Sequence, residues 1–271
     1  MEMRKEITDF ITAYIREKDK GGIIRNIWRT PIVCFGDARR EEMKGLRELV
    51  HPEHTMPWEV LPEAKTVIAY FLPFTEEIAK SNEHGRLSSV EWAKAYEKTN
   101  AVIVELNEAI VAFLKARGIE AAVPKEAFVY DEAVLKSKWS QRHVAYYCGL
   151  GTFGINNMLI TDKGTSGRIG TVVTALDVAF DEPLAEERCL YKQDGSCGVC
   201  VKRCPSGALT KTGFDRFLCN DLCGENASVH VGYVENSSYD LGHGSDEAVR
   251  SYTCGKCVVG VPCTVAVPKK S

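Results

Sequence analysis

The chain has 271 residues, of which 45% are hydrophobic and 26% charged, and its formal net charge is −3. This balance is typical of a soluble globular protein, and the chain contains no apolar run of transmembrane length. The slightly acidic total also argues against a nucleic-acid-binding protein, which usually carries a basic surface. Since the first residues include acidic side chains and no apolar core of a signal peptide, we expect a cytoplasmic protein without membrane contact.

Regular hydrophobic patterns run through the first two thirds of the chain. Residues 3–19 have the spacing of an amphipathic helix, and residues 31–35 and 66–71 are short apolar runs typical of buried strands. The longest helical pattern covers roughly residues 90–117, and it ends in basic residues followed by a glycine. Because strands alternate with helices over residues 1–185, we expect an α/β or α+β layered core there.

A glycine-rich stretch, Gly149-Leu-Gly-Thr-Phe-Gly154, separates the long helix from the next strands. Residues 158–161 and 169–178 are predicted to be two strands, which the turn 162–167 joins. From residue 186 onward the periodicity fades, and cysteine, glycine and proline become frequent. A segment that buries little apolar surface needs another source of stability, and bound metal clusters would supply it.

The cysteines are concentrated in the last third of the chain. Of the 11 cysteines, Cys34 and Cys148 stand alone. In a cytosolic protein, closely spaced cysteines indicate metal binding or catalysis rather than disulfides. The remaining nine are Cys189, Cys197, Cys200, Cys204, Cys219, Cys223, Cys254, Cys257 and Cys263.

The spacing of these cysteines resembles the pattern of a two-cluster ferredoxin. In that pattern, C-x2-C-x2-C-x3-C-P, the last cysteine ligates the other cluster. Here the run Cys197-x2-Cys200-x3-Cys204-Pro keeps the second part of the pattern, and the first ligand is displaced outward to Cys189. The run Cys254-x2-Cys257, which Cys263 follows, supplies the downstream half.

If each half of the cysteine block gives one ligand to the cluster of the other half, as in ferredoxins, the block predicts two 4Fe–4S clusters. Cys219 competes with Cys223 for one position and is favoured because it lies 15 residues after Cys204. Zinc is the alternative, since paired C-x2-C motifs also form zinc ribbons, but eight or nine cysteines fit it poorly. The predicted ligands are Cys189, Cys197, Cys200 and Cys263 for cluster A, and Cys204, Cys219, Cys254 and Cys257 for cluster B.

The order of these motifs resembles the epoxyqueuosine reductase family, which is related to the reductive dehalogenases. The resemblance covers roughly residues 60–265 and depends on three elements: Gly149-Leu-Gly-Thr-Phe-Gly-Ile-Asn156, Gly167-Arg-Ile-Gly-Thr-Val-Val-Thr174 and the cysteine block. It implies a nitroreductase-like or cobalamin-chaperone-like core over residues 1–185. A ferredoxin-like module with two 4Fe–4S clusters over residues 186–271 would follow, and cobalamin would be held base-off on the core.

The resemblance also implies which residues contact the corrinoid. Glycine has no side chain, so a glycine-rich backbone can approach a corrin ring closely. For the glycine stretch alone, a tight turn or a phosphate-binding loop is the alternative. The implied contacts are Arg142, Gly149, Leu150, Gly151, Gly154, Asn156 and Arg168.

The chain departs from the family at the catalytic aspartate. The family has this residue about fourteen positions before Gly149, where this chain has Leu135, although Arg142 matches the family arginine. Asp131 lies four residues too early, and a local insertion would restore it. His143 is a second candidate proton donor, with a packed helix histidine as the alternative. The catalytic residue is therefore unassigned.

Three functions remain open at this stage. Because the aspartate and the family's C-terminal helical-repeat domain are missing, we expect first an oxidoreductase that passes electrons from its clusters to cobalamin, as a corrinoid reductase, processing or reactivation protein. Its partners would be a ferredoxin- or flavodoxin-type donor and a corrinoid or corrinoid enzyme, not a nucleic acid. The alternatives are an epoxyqueuosine reductase acting on tRNA and a ferredoxin-type carrier without corrinoid.

Overall fold

A computed structural model describes residues 2–128, 130–233 and 248–270. The strands within these ranges are short except for the two that form the centre of the main sheet. They are β1 (Ile32–Asp37), β2 (Thr66–Pro73), β3 (Ala121–Ala122), β4 (Tyr130–Asp131), β5 (Lys136–Ser137), β6 (Thr152–Phe153), β7 (Leu159–Ile160) and β8 (Gly167–Thr174).

The main sheet is antiparallel and has the strand order β1-β2-β8-β3. Strand β2 pairs along its whole length with β8, with Ile68 opposite Val172. All residues of β2 are buried because both faces of this central strand are covered. Its continuous apolar sequence, predicted from residues 66–71, follows from that position.

Helices pack against both faces of the main sheet. Helices α1 and α5 contribute to one apolar cluster, around Ile68, and α2, α3 and α6 border the other, around Phe71. The helices are α1 (Glu2–Lys18), α2 (Leu46–Leu49), α3 (Pro57–Val60), α4 (Glu76–Ser81), α5 (Val90–Lys115), α6 (Gln141–Tyr147), α7 (Leu190–Asp194), α8 (Val199–Arg203) and α9 (Arg216–Val229). None of the described helices is long and apolar enough to cross a membrane.

Helix α5 begins and ends where its sequence provides caps. The Ser89 hydroxyl accepts a hydrogen bond from the Trp92 amide, at 3.0 Å, which satisfies one of the free donors of the first turn. Gly118, at φ +73°, follows the last turn. Because α5 crosses the sheet beside β8, it holds Asn100 next to Arg168.

The cysteine-rich segment is joined to the core by backbone and side-chain hydrogen bonds. The Thr165 amide donates to the carbonyl of Cys263 at 2.9 Å, and the Asn82 amide nitrogen donates to the carbonyl of Cys254 at 2.8 Å. The buried ammonium of Lys256 donates to the carbonyls of Asn82 and His84. These contacts fix the loops that carry the downstream cysteines against α4 and the start of β8.

The predicted mixed α/β fold is confirmed, but two strand predictions differ from the structure. Residues 158–161 do not form a hairpin with the next strand, because β7 pairs with β6 and β8 pairs with β2 and β3. Strand β8 also ends at Thr174, before the predicted end at residue 178. There the Thr174 hydroxyl accepts from the Leu176 amide at 3.1 Å, which takes that donor out of the sheet ladder.

Candidate redox site

The four cysteines predicted for cluster A line one small cavity of about 20 Å³. Cys189 precedes α7, Cys197 precedes α8, Cys200 lies within α8, and Cys263 lies in the last loop. Burial, together with the neighbouring thiols, raises the pKa of Cys200 to about 11 and that of Cys263 to about 12. Residues far apart in the chain therefore present four thiols to one apolar space.

A second group of thiols lies in the wall of a larger cavity, of about 500 Å³. It consists of Cys204, Cys219, Cys223, Cys254 and Cys257. Burial raises the pKa of Cys254 to about 11, with a further contribution from Cys219. Burial also raises the pKa of Cys257, to which thiols of both groups contribute. The two groups of thiols are therefore neighbours, with Cys257 between them.

Cys219 and Cys223 lie one turn apart on α9, and their thiols are hydrogen-bonded to each other. The bond from Cys223 lowers the pKa of Cys219 to about 7, against the effect of burial, and the positive charge of Arg142 contributes in the same direction. Both thiols line the larger cavity. Either thiol could be the fourth ligand beside Cys204, Cys254 and Cys257, so the choice of Cys219 stays a prediction.

The thiols of each group line a common cavity. A 4Fe–4S cluster requires such an arrangement, because each of its four irons takes one thiolate. Among the described residues, no three His, Cys, Asp or Glu side chains converge on the position of a single ion.

Three adjoining cavities extend from the second thiol group over the edge of the core. We call the cavity of about 500 Å³ the central cavity; Arg142 and Arg168 line it together with the thiols. The inner cavity, of about 310 Å³, shares Tyr96, Arg168 and Tyr252 with it. The outer cavity, of about 690 Å³, shares Arg142 with it and extends towards His143. The combined space suits a large ligand that contacts the second thiol group.

Two arginines give the central cavity positive charge. The Arg142 guanidinium donates to the carbonyl of Asn157 at 2.6 Å, and burial lowers its pKa. Arg168 donates through Nε to the Asn100 side-chain oxygen at 3.0 Å, and its guanidinium lies 4.4 Å from the Tyr96 ring centre. Their charges would stabilise anionic groups in the cavity, including the thiolates of a cluster.

His143 lies in the wall of the outer cavity and is neutral at pH 7. Its Nδ1 lies 2.7 Å from the Ser140 hydroxyl, and its ring centre lies 4.7 Å from that of Phe153. Burial lowers its pKa to about 4, and the charge of Arg142 contributes to the shift. A histidine in this environment does not carry the extra proton that a general acid needs.

Asp131 pairs with Lys136 in the hairpin that carries Leu135, but it is not among the residues that line the three cavities. Leu135, which occupies the position of the family aspartate, lines the outer cavity. The Asp131 carboxylate accepts from the Ala133 amide at 2.8 Å and lies 3.4 Å from Nε2 of His51. These contacts hold the pKa of Asp131 below its usual range, with the bond from Ala133 as the largest cause. Asp131 is thus an ionised residue at the end of β4.

The glycine-rich stretch packs against the chain's own backbone. A Cβ atom at Gly149, where φ is +79°, would lie 2.5 Å from the carbonyl oxygen of Glu182. A Cβ atom at Gly151 would lie 2.5 Å from the carbonyl oxygen of Ile160, and Leu150 is buried. Close packing inside the core therefore accounts for glycine at both positions, and their contact with a corrinoid stays a prediction.

The end of this stretch lies between the two thiol groups. Gly154 and Asn156 line the cavity of the first group, and the Asn156 side chain donates to the carbonyl of Cys257 at 3.0 Å. Of the predicted corrinoid contacts, Arg142, Asn156 and Arg168 line the central cavity. The structure therefore places three of these residues beside one space.

No family model matches the chain. Two curated proteins that it matches come from Staphylococcus aureus, with 25% identity over 211 residues, and Lactococcus garvieae, with 30% identity over 179 residues. The matches cover 75% and 64% of this chain and 49% and 45% of those proteins. Both are epoxyqueuosine reductases. The chain is a relative of the epoxyqueuosine reductases, as the motifs predict, and it spans about half the length of these curated relatives.

Solved structures of epoxyqueuosine reductases share the fold. One, labelled with selenomethionine, matches with a TM-score of 0.60 and 18% identity, over 97% of this chain and 66% of that one. Another, with an epoxyqueuosine-modified tRNA-Tyr stem loop, matches with a TM-score of 0.59 and 18% identity, over 97% of this chain and 65% of that one. The mixed α/β architecture is therefore that of an epoxyqueuosine reductase.

These relatives correct two predictions. The expectation of a corrinoid reductase or reactivation protein is wrong, because both the relatives and the matching structures are epoxyqueuosine reductases. The expectation that nucleic acid is not a partner is also contradicted, because one of these enzymes is solved with a tRNA stem loop. The net charge of a chain sums over its whole surface, so it does not describe the local charge at a binding site.

The sequence patterns missed one acidic residue of the site, Glu97. It lines the inner cavity and is only 3% exposed. It lies one helical turn after Ala93 and one before Asn100, and the burial of both residues is visible only in the structure. A carboxylate on the buried face of a helix is a reason to look for a functional site.

Proposed function

We propose that the chain is an iron–sulfur oxidoreductase that reduces the epoxide of epoxyqueuosine in tRNA. One observation carries the proposal: on a fold shared with epoxyqueuosine reductases, a group of thiols forms part of the wall of a large cavity that Arg142 and Arg168 also line. Electrons held at that wall would enter the cavity directly. The motif order and the curated relatives support the same reaction.

Two 4Fe–4S clusters would occupy the two thiol groups. Cys189, Cys197, Cys200 and Cys263 would hold cluster A, and Cys204, Cys219, Cys254 and Cys257 would hold cluster B. Since Cys257 lies near thiols of both groups, the clusters would be close enough for electron transfer from A to B. In this proposal residues 186–271 form the cluster module, and residues 1–185 form a nitroreductase-like core.

Cobalamin would occupy the central and outer cavities. Their volumes, about 500 and 690 Å³, suit a large cofactor, and their walls combine apolar side chains with polar groups that could bind its amide and phosphate groups. Arg142, Asn156 and Arg168 would contact it from the core. Bound there, it would supply a strongly reducing metal centre next to cluster B. No histidine ligand is needed, and the Nδ1 of His143 already contacts Ser140.

The reaction requires two electrons and two protons. Converting an epoxide to an alkene breaks both carbon–oxygen bonds, and the oxygen leaves as water. A low-potential protein of the ferredoxin or flavodoxin class would supply the electrons through the clusters, which span potentials down to roughly −700 mV. The chain's own residues would bind the modified base, exclude water and deliver at least one proton.

The direct test is conversion of the modified base. The chain is loaded anaerobically with iron, sulfide and cobalamin, reduced, and incubated with an epoxyqueuosine-containing tRNA stem loop, and the nucleosides are measured by mass spectrometry. We expect conversion to queuosine. We expect Cys257→Ser to abolish it and Cys34→Ala, which removes a thiol outside both groups, to retain it. A fully loaded wild-type chain that leaves the epoxide unchanged would overturn the proposal.

A further inference from the structure

The proposed reduction needs a proton donor, and the family's position for it is occupied by an apolar residue. Leu135 lines the outer cavity where the aspartate is expected. Asp131 is held by His51 and the Ala133 amide, and neutral His143 lacks the extra proton. Another residue in the wall of the three cavities would therefore have to protonate the leaving oxygen if the chain itself supplies the proton.

Glu97 is a buried carboxylate in that wall. It lies on α5, in the lining of the inner cavity, and is 3% exposed. The inner cavity adjoins the central cavity, and Tyr96, Arg168 and Tyr252 line both. A substrate in the central cavity would therefore lie beside the wall that separates it from Glu97 or joins it to Glu97.

The neighbours of Glu97 connect it to the redox side of the cavity. Burial raises the pKa of Tyr96; Glu97 and Cys223 contribute to the rise, and Arg168 opposes it. Tyr96 therefore lies within electrostatic reach of Glu97, Cys223 and Arg168. The titratable and charged side chains that line the inner cavity with Glu97 are Tyr96, Tyr130, Arg168, Cys223, Arg250 and Tyr252.

We propose that Glu97 is the catalytic acid that protonates the epoxide oxygen as its carbon–oxygen bond breaks. The two electrons come from the reduced clusters, and the first proton comes from the Glu97 carboxyl. Loss of the second carbon–oxygen bond forms the alkene, and with a second proton from solvent the oxygen leaves as water. Glu97 is then reprotonated from solvent. This inference rests on the proposed function, and it assigns to Glu97 the proton donation that the apolar Leu135 cannot perform.

A structural role for the same carboxylate makes different predictions. If Glu97 only held the cavity wall together, Glu97→Gln would preserve its shape and most of its hydrogen bonds, and conversion would be unchanged. If it is the acid, the amide cannot donate the required proton. General acid catalysis contributes on the order of 10²–10⁴-fold to a rate, so the two roles differ by a measurable factor.

The test is single-turnover conversion of the epoxyqueuosine stem loop by wild type, Glu97→Gln and Glu97→Asp from pH 6 to pH 9. The matched control is Glu105→Gln, which alters a carboxylate on the same helix that is 50% exposed. We expect Glu97→Gln to lose about 10²–10⁴-fold in rate. We expect the wild-type rate to fall as the pH rises, because only the protonated carboxyl can donate, and we expect this fall to be absent in Glu97→Gln. Glu97→Asp should retain that pH dependence at a reduced rate, and Glu105→Gln should match wild type.

Iron content and stem-loop affinity are measured in parallel, and both should be unchanged in Glu97→Gln. The inference is overturned if Glu97→Gln converts at the wild-type rate with the wild-type pH profile. A loss of affinity or iron that accounts for the slower conversion also overturns it. If Glu97→Gln does not fold, a wild-type rate for Glu97→Asp is the contradicting result. Failure of the proposed function is a separate outcome, because then the loaded wild-type chain itself converts nothing.

Discussion

Gly255 offers a sharp test of how the core positions cluster B. It lies between Cys254 and Cys257, in the left-handed region at φ +71°, and a Cβ atom there would overlap Cε2 and Cζ2 of the Trp92 ring. That ring is buried and fixed by a 3.1 Å hydrogen bond from its Nε1 to the Thr253 hydroxyl. Alanine at position 255 would therefore push the cysteine loop away from α5.

Gly207 is a matched control for Gly255. Its φ is +72°, but nothing lies within 4 Å of a Cβ atom there. Gly207→Ala should therefore lower the free energy of unfolding by about 1–2 kcal/mol, because alanine is strained in the left-handed backbone region. Gly255→Ala should lower the free energy of unfolding by this amount plus about 1–3 kcal/mol, because its Cβ atom overpacks the Trp92 ring. For a domain of this size, each kcal/mol lowers the unfolding temperature by about 2–4 °C.

The assay is thermal unfolding of both variants together with iron content per chain. We expect Gly255→Ala to lower the unfolding temperature by roughly twice as much as Gly207→Ala or more. Gly255→Ala should lose cluster B, so that its iron content falls towards the four irons of cluster A, while Gly207→Ala keeps about eight irons per chain. Equal shifts for the two variants, or full iron in Gly255→Ala, would refute the argument that Trp92 fixes this loop.

Three further predictions follow from the described contacts. Burial lowers the pKa of His54 to about 4, so the free energy of unfolding should fall as the pH drops from about 6.5 towards 4. Chemical unfolding at pH 7 and pH 5 should show a smaller fall for His54→Gln than for the wild type, and equal falls would contradict this. Trp139→Phe removes a 3.0 Å hydrogen bond from a fully buried indole to the Thr171 hydroxyl and should cost about 1–3 kcal/mol in urea unfolding, whereas a neutral result would show that the site repacks. Cys219→Ala should lose cluster B iron and Cys223→Ala should retain it; the reverse result would assign Cys223 as the ligand.

Local sequence patterns predict the parts of the fold that local physics controls. The apolar run at residues 66–71 identifies the buried strand β2, and the helical spacing over 90–117 identifies α5 to within about two residues. The cysteine spacing predicts which thiols share a cavity, because four cluster ligands must come together wherever they lie in the chain. In each case one interaction determines both the sequence pattern and the structure.

Features that depend on distant contacts could not be predicted in this way. The sequence of the turn after β7 predicts a hairpin of β7 with β8. Instead, β7 pairs with the preceding strand β6, because β8 lies between β2 and β3 in the main sheet. Gly149 and Gly151 resemble ligand-binding glycines, yet the carbonyls that exclude a side chain there belong to Glu182 and Ile160. Glu97 appears as a site residue only once the cavity is known.

In the proposed function, 4Fe–4S clusters held by the two thiol groups supply the electrons that reduce an epoxide in the adjoining cavity. This proposal is tested most directly by reducing the loaded chain, removing excess reductant and adding one equivalent of the epoxyqueuosine stem loop. We predict that the cluster absorbance returns to its oxidised form as queuosine appears, with two electrons consumed for each alkene formed. Clusters that stay reduced, or that are oxidised while the epoxide remains intact, would contradict the proposal.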